Sequence, residues 1–196
     1  MVNIRPATAG NSSAIAALMA EAFVDDPAWA VFYPDPDTRP AKLLKYYQRR
    51  VRRRPEWVDV AMDDARLVGA MFWEPPRPEA REVARKRSSL WRRFLSRFPR
   101  GRGLAHTIAV EEHRPEEPHW YLHDIATSPH ARGRGIGTAL LHHRLDIIDS
   151  SDAPLAALEA TTPDSQRLYE RFGFHPVATV PSIPEHASTI MIRRHG

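Results

Sequence analysis

"ARGRGIGTALL", residues 131 to 141, places glycines at 133, 135 and 137 and arginines at 132 and 134 ahead of an abrupt apolar run. The chain has nine glycines in all. Glycine loses more conformational freedom on ordering than any other residue, so this cluster marks a place where the backbone itself must approach something closely. A strand before such a loop and a helix after it make an anion site. The first helical turn leaves its N–H groups unpaired, and the helix dipole puts partial positive charge there. Glycines remove the side chains that would hold a phosphate off those donors, and the arginines add charge. Arg132, Gly133, Arg134, Gly135, Ile136, Gly137 and Thr138 are the expected cradle of a phosphate or pyrophosphate. The other reading is a turn that only joins two elements, for which one or two glycines suffice.

Two nucleotide loops compete for the same residues. The P-loop pattern fails because no lysine follows the glycines. The dinucleotide pattern G-x-G-x-x-G/A is nearer, through Gly133 and Gly135, but Thr138 holds its third position. Glu159, about two dozen residues on, stands where a ribose-binding acid would. That fingerprint belongs on the first strand of its fold, however, and here a whole α/β half precedes it. The spacing that matches is Arg132-x-x-Gly135-x-Gly137.

The elements that must position this loop can be read from periodicity. "WYLHDIAT" predicts a central strand, and "IGTALLHHRLDII" a helix with apolar residues at 136, 140, 141, 145 and 148. "LAALEA" follows as a strand, "DSQRLYERF" as a helix stopped by Gly173, and "PVATV" and "STIMI" as final strands. Upstream, "VNIRPA" reads as a strand and "NSSAIAALMAEAF" as a helix. A loop is expected around Trp29 and Phe32, then a helix from near Thr38 carrying Leu43, Leu44 and Tyr47 up to Pro55. "WVDVAM" and "RLVGAMFW" predict an antiparallel hairpin. Residues 79 to 98 predict a long basic helix closed by Pro99, Gly101 and Gly103, with room for one more helix before the fourth strand. The order is βααββα(α)βαβαββ, an α/β or α+β domain with parallel crossovers near its middle.

At 196 residues, with 42% hydrophobic and 27% charged residues, the chain is expected to be one domain over 1–196. It contains no cysteine, which excludes disulfides, thiolate metal sites and a cysteine nucleophile. Its net charge of +4 favours anionic partners. No run approaches the roughly 18 apolar residues of a membrane span, and "MVNIRPATAG" lacks the layout of a secretory signal. A cytoplasmic location is the expectation.

The loop after a strand ending in "SP", with "LYERFGF" at 168 to 174 one strand later, resembles the acetyl-coenzyme A loop and following helix of the GNAT family of N-acetyltransferases. "HRPEEPHWYL" at 113 to 122 and "EAFVDDPAW" at 21 to 29 are similar to the puromycin N-acetyltransferase-like group within it. The likeness is strong over residues 113 to 175, moderate over 3 to 36 and thin between them. It implies a mixed, mostly antiparallel sheet with a splayed parallel strand pair, flanked by helices. It also implies acetyl-coenzyme A as acetyl donor and direct attack by the primary amine of a small molecule, an antibiotic or an amino-acid-like metabolite, in a ternary complex. Other readings are an acetyltransferase acting on protein N-termini or lysines, and an acyl-coenzyme A sensor without turnover. A homodimer is left open.

On this resemblance the backbone of Ile125, Ala126 and Thr127 meets the pantetheine arm, and an amide there serves as oxyanion donor. Tyr169 matches the tyrosine that protonates the sulfur, since a phenol keeps its proton at neutral pH; the other reading is a core aromatic beside Leu168 and Phe172. Glu159 is the first choice of general base, with His123 and Asp124 as further candidates. Strand alternation puts His123 and Ile125 on one face and Asp124 on the other. No base is needed if water relays the proton or the amine arrives uncharged. Ser165 stands where many members carry an asparagine that contacts the cofactor, and Arg132 where glutamine is commoner.

"ARKRSSLWRRFLSRFPRGR" is the most charged segment. Val83, Leu90, Trp91, Phe94, Leu95 and Phe98 form one helical stripe in it, so a core-packed helix with a solvated basic face is expected. Its aromatics could alternatively line the acceptor pocket. No nucleic-acid or membrane partner is expected. The ten histidines form no defensible ligand pair, His142 and His143 being adjacent on a helix, so no metal is expected.

Overall fold

A computed structural model describes residues 2–76, 101–181 and 187–195. The predicted basic helix over 79 to 98 lies outside them. The first strand β1 (Val2–Pro6) leads to helix α1 (Ser12–Ala22), short α2 (Pro27–Phe32) and α3 (Arg39–Arg53). The hairpin β2 (Val58–Asp63) and β3 (Arg66–Glu74) follows, then α4 (Arg102–His113). The second half comprises β4 (Trp120–Thr127), α5 (Ile136–Asp149), β5 (Leu155–Ala160), α6 (Pro163–Glu170), β6 (His175–Val180) and β7 (Ser188–Arg194).

All seven described strands form one sheet in the order β1-β2-β3-β4-β5-β7-β6. Every neighbouring pair is antiparallel except β4 and β5. These two pair only over Trp120–Ala156, Tyr121–Ala157 and Leu122–Leu158. Past that point each strand keeps its outer partner, β4 with β3 as far as Thr127 and β5 with β7 as far as Ala160. The sheet therefore opens between them as a wedge, the splayed pair that the resemblance implies.

Helices cover both faces because the strands are apolar on both. On one side Ile136, Leu140, Leu141, Leu145 and Ile148 of α5 pack with Met71, Trp73, Leu122 and Leu158. On the other, Ile15 and Met19 of α1 and Leu43, Tyr47 and Val51 of α3 pack with Val60, Ala70 and Phe72. A smaller cluster joins Ala109 and Val110 of α4 to Tyr121, Ala157 and Ile190. Gly69 of β3 lets α5 lie close on the sheet, since a Cβ there would stand 2.8 Å from Ile136 Cγ2 and 3.1 Å from Leu140 Cδ1.

One element differs from the sequence reading. The segment around Trp29 and Phe32 is helical, because Asp26 caps it and Pro27 fills the first position, where a missing N–H costs nothing. Gly101 and Gly103 stand at the start of α4; the helix they were expected to close lies outside the described residues. Gly103 packs closely on α2, since a Cβ there would stand 2.5 Å from the Phe32 ring.

One buried ion pair fixes α5 to the sheet. Arg144 donates through Nε and Nη2 to the two carboxylate oxygens of Asp59 on β2, at 2.7 and 2.6 Å. Asp59 is fully buried. Removing one partner leaves the other charge without compensation in a site closed to water, and Asp59→Ala is expected to cost about 3–5 kcal/mol of stability in denaturant unfolding.

Candidate active site

The loop after β4 is built to offer amides. Ser128 N donates to Val68 O at 2.9 Å, which ties the exit of β4 to β3. Residues 129–131 make a single 3-10 turn, after which Gly133 and Gly135 take φ of +74° and +73°. L-residues with side chains rarely adopt these values. A Cβ at either glycine would meet no atom within 4 Å, so the space in front of the loop is open. The first helical ladder bond of α5 is Ala139 N to Gly135 O at 2.9 Å, which leaves the amides of Ile136, Gly137 and Thr138 outside the ladder. Residues 132 to 135 and Thr138 are exposed. Arg134 is turned aside to Asp63, 2.8 Å away, whose carboxyl that hydrogen bond holds below the usual range.

The wedge between β4 and β5 opens into a cavity of about 550 Å³. Ile125, Ala126 and Thr127 hydrogen-bond to β3 on one edge, while their other edge has no strand opposite it. Leu122, Ile125, Glu159, Ser165 and Tyr169 line the cavity from β4, β5 and α6. Phe23, Trp29, Phe32, Tyr33 and Tyr46 wall it from the first half of the chain, in a run of stacked and edge-on rings centred on Trp29.

Tyr169 reaches the cavity because α6 stops on schedule. Thr162 and Ser165 form a reciprocal capping box at its start, and Gly173, with φ of +79°, turns the chain at its end. The Ser165 hydroxyl is engaged by Thr162, donating to its carbonyl at 2.8 Å. Burial pushes the Tyr169 phenol above its ordinary range, and the charges of Asp124 and Asp26 add to the shift. It therefore keeps its proton at any working pH.

Three carboxylates face this region. Glu159 Oε1 has no hydrogen-bond partner and lies 3.2 Å from His106 Nε2 of α4, out of line for a bond. Asp124 accepts from the Tyr47 hydroxyl at 2.9 Å through Oδ1, while Oδ2 makes no hydrogen bond and lies 3.5 Å from Arg50 Nη1. Burial raises the Asp124 carboxyl despite Arg50 and Tyr47, which pull the other way. Asp26 caps α2 through Oδ1 and accepts from the Thr161 hydroxyl at 2.8 Å through Oδ2. Burial raises its carboxyl too, and the Glu159 charge contributes. The sequence reading did not assign Asp26 a role. The signal was present in "DDP", since aspartate before proline is a helix start, but nothing local shows that this start faces β5.

His123 does not share a face with Ile125. Phe72 pairs with Asp124 and Trp73 with Leu122, so His123 is the extra residue of a β-bulge. A bulge reverses alternation beyond it. His123 and Asp124 both stand on the α3–α4 side, and Ile125 on the α5 side. His123 Nε2 bonds Glu74 Oε2 at 2.8 Å, and Arg114 of the "HRPEEPH" segment backs Glu74 at 3.5 Å while stacking 3.7 Å over the Tyr121 ring. Burial pushes the His123 imidazole down to about 3, with Arg50 adding to the shift. It is thus a neutral donor to Glu74 and has no lone pair on Nε2 to spare for the cavity.

Comparison with known proteins gives a consistent result. Residues 19–174 match the model of the Acetyltransferase (GNAT) family. Among solved structures, an acetyltransferase of Corynebacterium glutamicum, described as histone acetyltransferase HPA2 and related acetyltransferase, is 27% identical with a TM-score of 0.72 over 98% of this chain and 96% of its own. The polyamine N-acetyltransferase of Drosophila melanogaster, which forms N-acetylagmatine, is 19% identical with a TM-score of 0.70, over 99% of this chain and 100% of its own. A mosquito arylalkylamine N-acetyltransferase-like protein (5b) is 14% identical with a TM-score of 0.70, again over 99% and 100%. Among the described residues, no helix is long and apolar enough to cross a membrane.

His123 binds a proton near pH 6.5 when the chain is unfolded but only near pH 3 when folded. Between those values the unfolded state holds more protons, so acid erodes stability through this group, by up to about 1.4 kcal/mol per pH unit. Stability is whole above pH 6.5 and falls as pH drops toward 3. His123→Gln keeps a neutral donor and is expected to flatten that slope in unfolding curves taken at stepped pH.

Proposed function

The chain belongs to the GNAT acetyltransferase family, whose model it matches over residues 19–174, and on that premise we propose that it moves the acetyl group of acetyl-coenzyme A to the primary amine of a small molecule in a ternary complex. The observation that carries this reading is the wedge itself. A protonated phenol, three carboxylates and Ile125 of the unpaired strand edge line one cavity of about 550 Å³, and the loop with the free amides of Ile136, Gly137 and Thr138 follows from the end of that same strand.

The residues present fit a coenzyme A. Open space before Gly133 and Gly135 is where side chains would otherwise stand, and the amides from Gly133 to Thr138 would hold its diphosphate beside the exposed Arg132, whose own amide bonds Pro129 O. The free edge of Ile125, Ala126 and Thr127 would take the pantetheine arm, with Ser165 beside it at the head of α6. The bound thioester supplies an activated acyl carbon and a thiol leaving group.

The chain's own groups do the rest. Asp26 and Asp124 draw an ammonium into the cavity, and the aromatic wall excludes water around it. Glu159, which lines the cavity, takes the ammonium proton and frees the nitrogen lone pair. An amide of the free β4 edge meets the charge that develops on the carbonyl oxygen. Tyr169 gives its hydroxyl proton to the departing sulfur. An amine on a compact aromatic or aliphatic body, such as an antibiotic or an amino-acid-like metabolite, fits the cavity and its ring-lined wall.

The deciding experiment measures thiol release from acetyl-coenzyme A against panels of small amines, antibiotics and peptides, with coenzyme binding followed by calorimetry. Release with small amines is expected; release only with peptides, or tight binding with no release, would replace this reading. Tyr169→Phe is expected to lower kcat about 100-fold while coenzyme affinity survives. Glu159→Gln is expected to lower kcat/KM most at neutral pH and to recover in part as rising pH deprotonates the amine in solution.

A further inference from the structure

A second cavity adjoins the first. It is a groove of about 690 Å³ along α3, lined by Lys42, Lys45, Arg49, Arg53 and Arg54 and floored by Tyr33, Tyr46, Trp57 and Phe72. Tyr33, Tyr46 and Arg50 line both cavities, so the two are immediate neighbours. Arg50 is already committed, 4.0 Å over the Phe72 ring and 3.5 Å from Asp124. Two of the outer cations have acids near them: Arg54 lies 3.6 Å from Glu56, and Lys42 donates to the Thr38 hydroxyl, which itself bonds the Asp35 carboxylate whose acidity Lys42 strengthens. Among the described residues no carboxylate stands within ion-pair distance of Lys45, Arg49 or Arg53.

Lys45, Arg49 and Arg53 follow one another at four-residue spacing, so they stack as like charges on one exposed helix face. Such pairs destabilise a helix. The dipole at the helix C-terminus offsets this for Arg53 and Arg54 but not for Lys42 and Lys45, which sit in its first two turns. A bound anion relieves the whole row. The floor is aromatic and the rim cationic, which suits an apolar body ending in a negative group.

We infer that the acceptor carries an anionic group, a carboxylate or a phosphate, on the side away from its amine, and that the groove along α3 is the subsite for it. This rests on the acetyl-transfer reading above. The combined surface is polarised, with carboxylates around the amine position and cations beyond Tyr46. A diamine or polyamine would bring its second ammonium against the Lys and Arg row, so the same groove selects against polycations.

The test uses the full chain and four 2-phenylethylamines, bearing hydrogen, carboxylate, phosphate or aminomethyl at the para position. Thiol release is expected to give kcat/KM about tenfold higher for an anionic than for the aminomethyl acceptor, as several partly exposed charge pairs acting together allow. The difference should lie in KM and shrink with added salt. The larger of the carboxylate and phosphate values identifies the group. In the double variant Lys45→Gln, Arg49→Gln the ratio is expected to fall toward one. Equal rates or a cationic preference in the natural chain, an unchanged ratio in the variant, or faster turnover of an acidic peptide than of the small acids would each overturn the inference. If no amine releases thiol, the acetyl-transfer reading fails by itself. The groove is then decided by titrating the para-carboxylate compound into the coenzyme A-saturated chain, where amide shifts confined to residues 42–54 support it and their absence overturns it.

Discussion

Two parallel strands that pair for three residues and then part organise this molecule. β4 and β5 are each held on their outer edges beyond the point of divergence, so the gap between them is enforced by the rest of the sheet. Backbone groups along a strand cannot be buried without partners. A strand edge left open inside the fold is therefore a place for something else to bond, and the free amides of the loop lie at the same end of β4. The Gly69 contact and the Asp59–Arg144 pair set α5 against the sheet, so the loop is fixed relative to the gap.

Around the gap, the charges are organised as linked pairs. Glu111, Arg114, Glu74 and His123 form a chain behind β4, and Arg50 with Tyr47 holds Asp124 from α3. These groups keep ionised side chains in the interior at tolerable cost because each has a partner. What they leave over is informative: Glu159 Oε1 and Asp124 Oδ2 are buried without a hydrogen bond, on two residues that line the cavity. Buried acceptors without donors are costly.

The two halves of the chain contribute differently. The second half provides the loop, the tyrosine and the strand edges, all within one β-α-β-α run. The first half provides the wall. Asp26 connects them, capping α2 while bonding Thr161 from 135 residues away. The position of the aromatic wall thus depends on an acid that also bonds Thr161, the residue after β5.

Much of this was legible in the linear chain, and the reason is locality. The glycines at 133 and 135 carry positive φ, which is a property of a few residues. Helices α1, α3, α5 and α6 show their apolar period, and the hairpin of β2 and β3 its alternation. Tyr169 was singled out through the resemblance of "LYERFGF" to the family's helix and turn. What the sequence left unread depends on partners far along the chain. Alternation put His123 on the wrong face because a bulge is set by register against Phe72 and Trp73, across the sheet. Asp26 looked like a loop residue until α2 formed and met Thr161. The close contact of Gly103 with Phe32 of α2 was likewise invisible in the linear chain. Local backbone preference is written residue by residue, whereas which buried charge meets which, and which strand edge stays open, follows only from how the whole chain closes on itself.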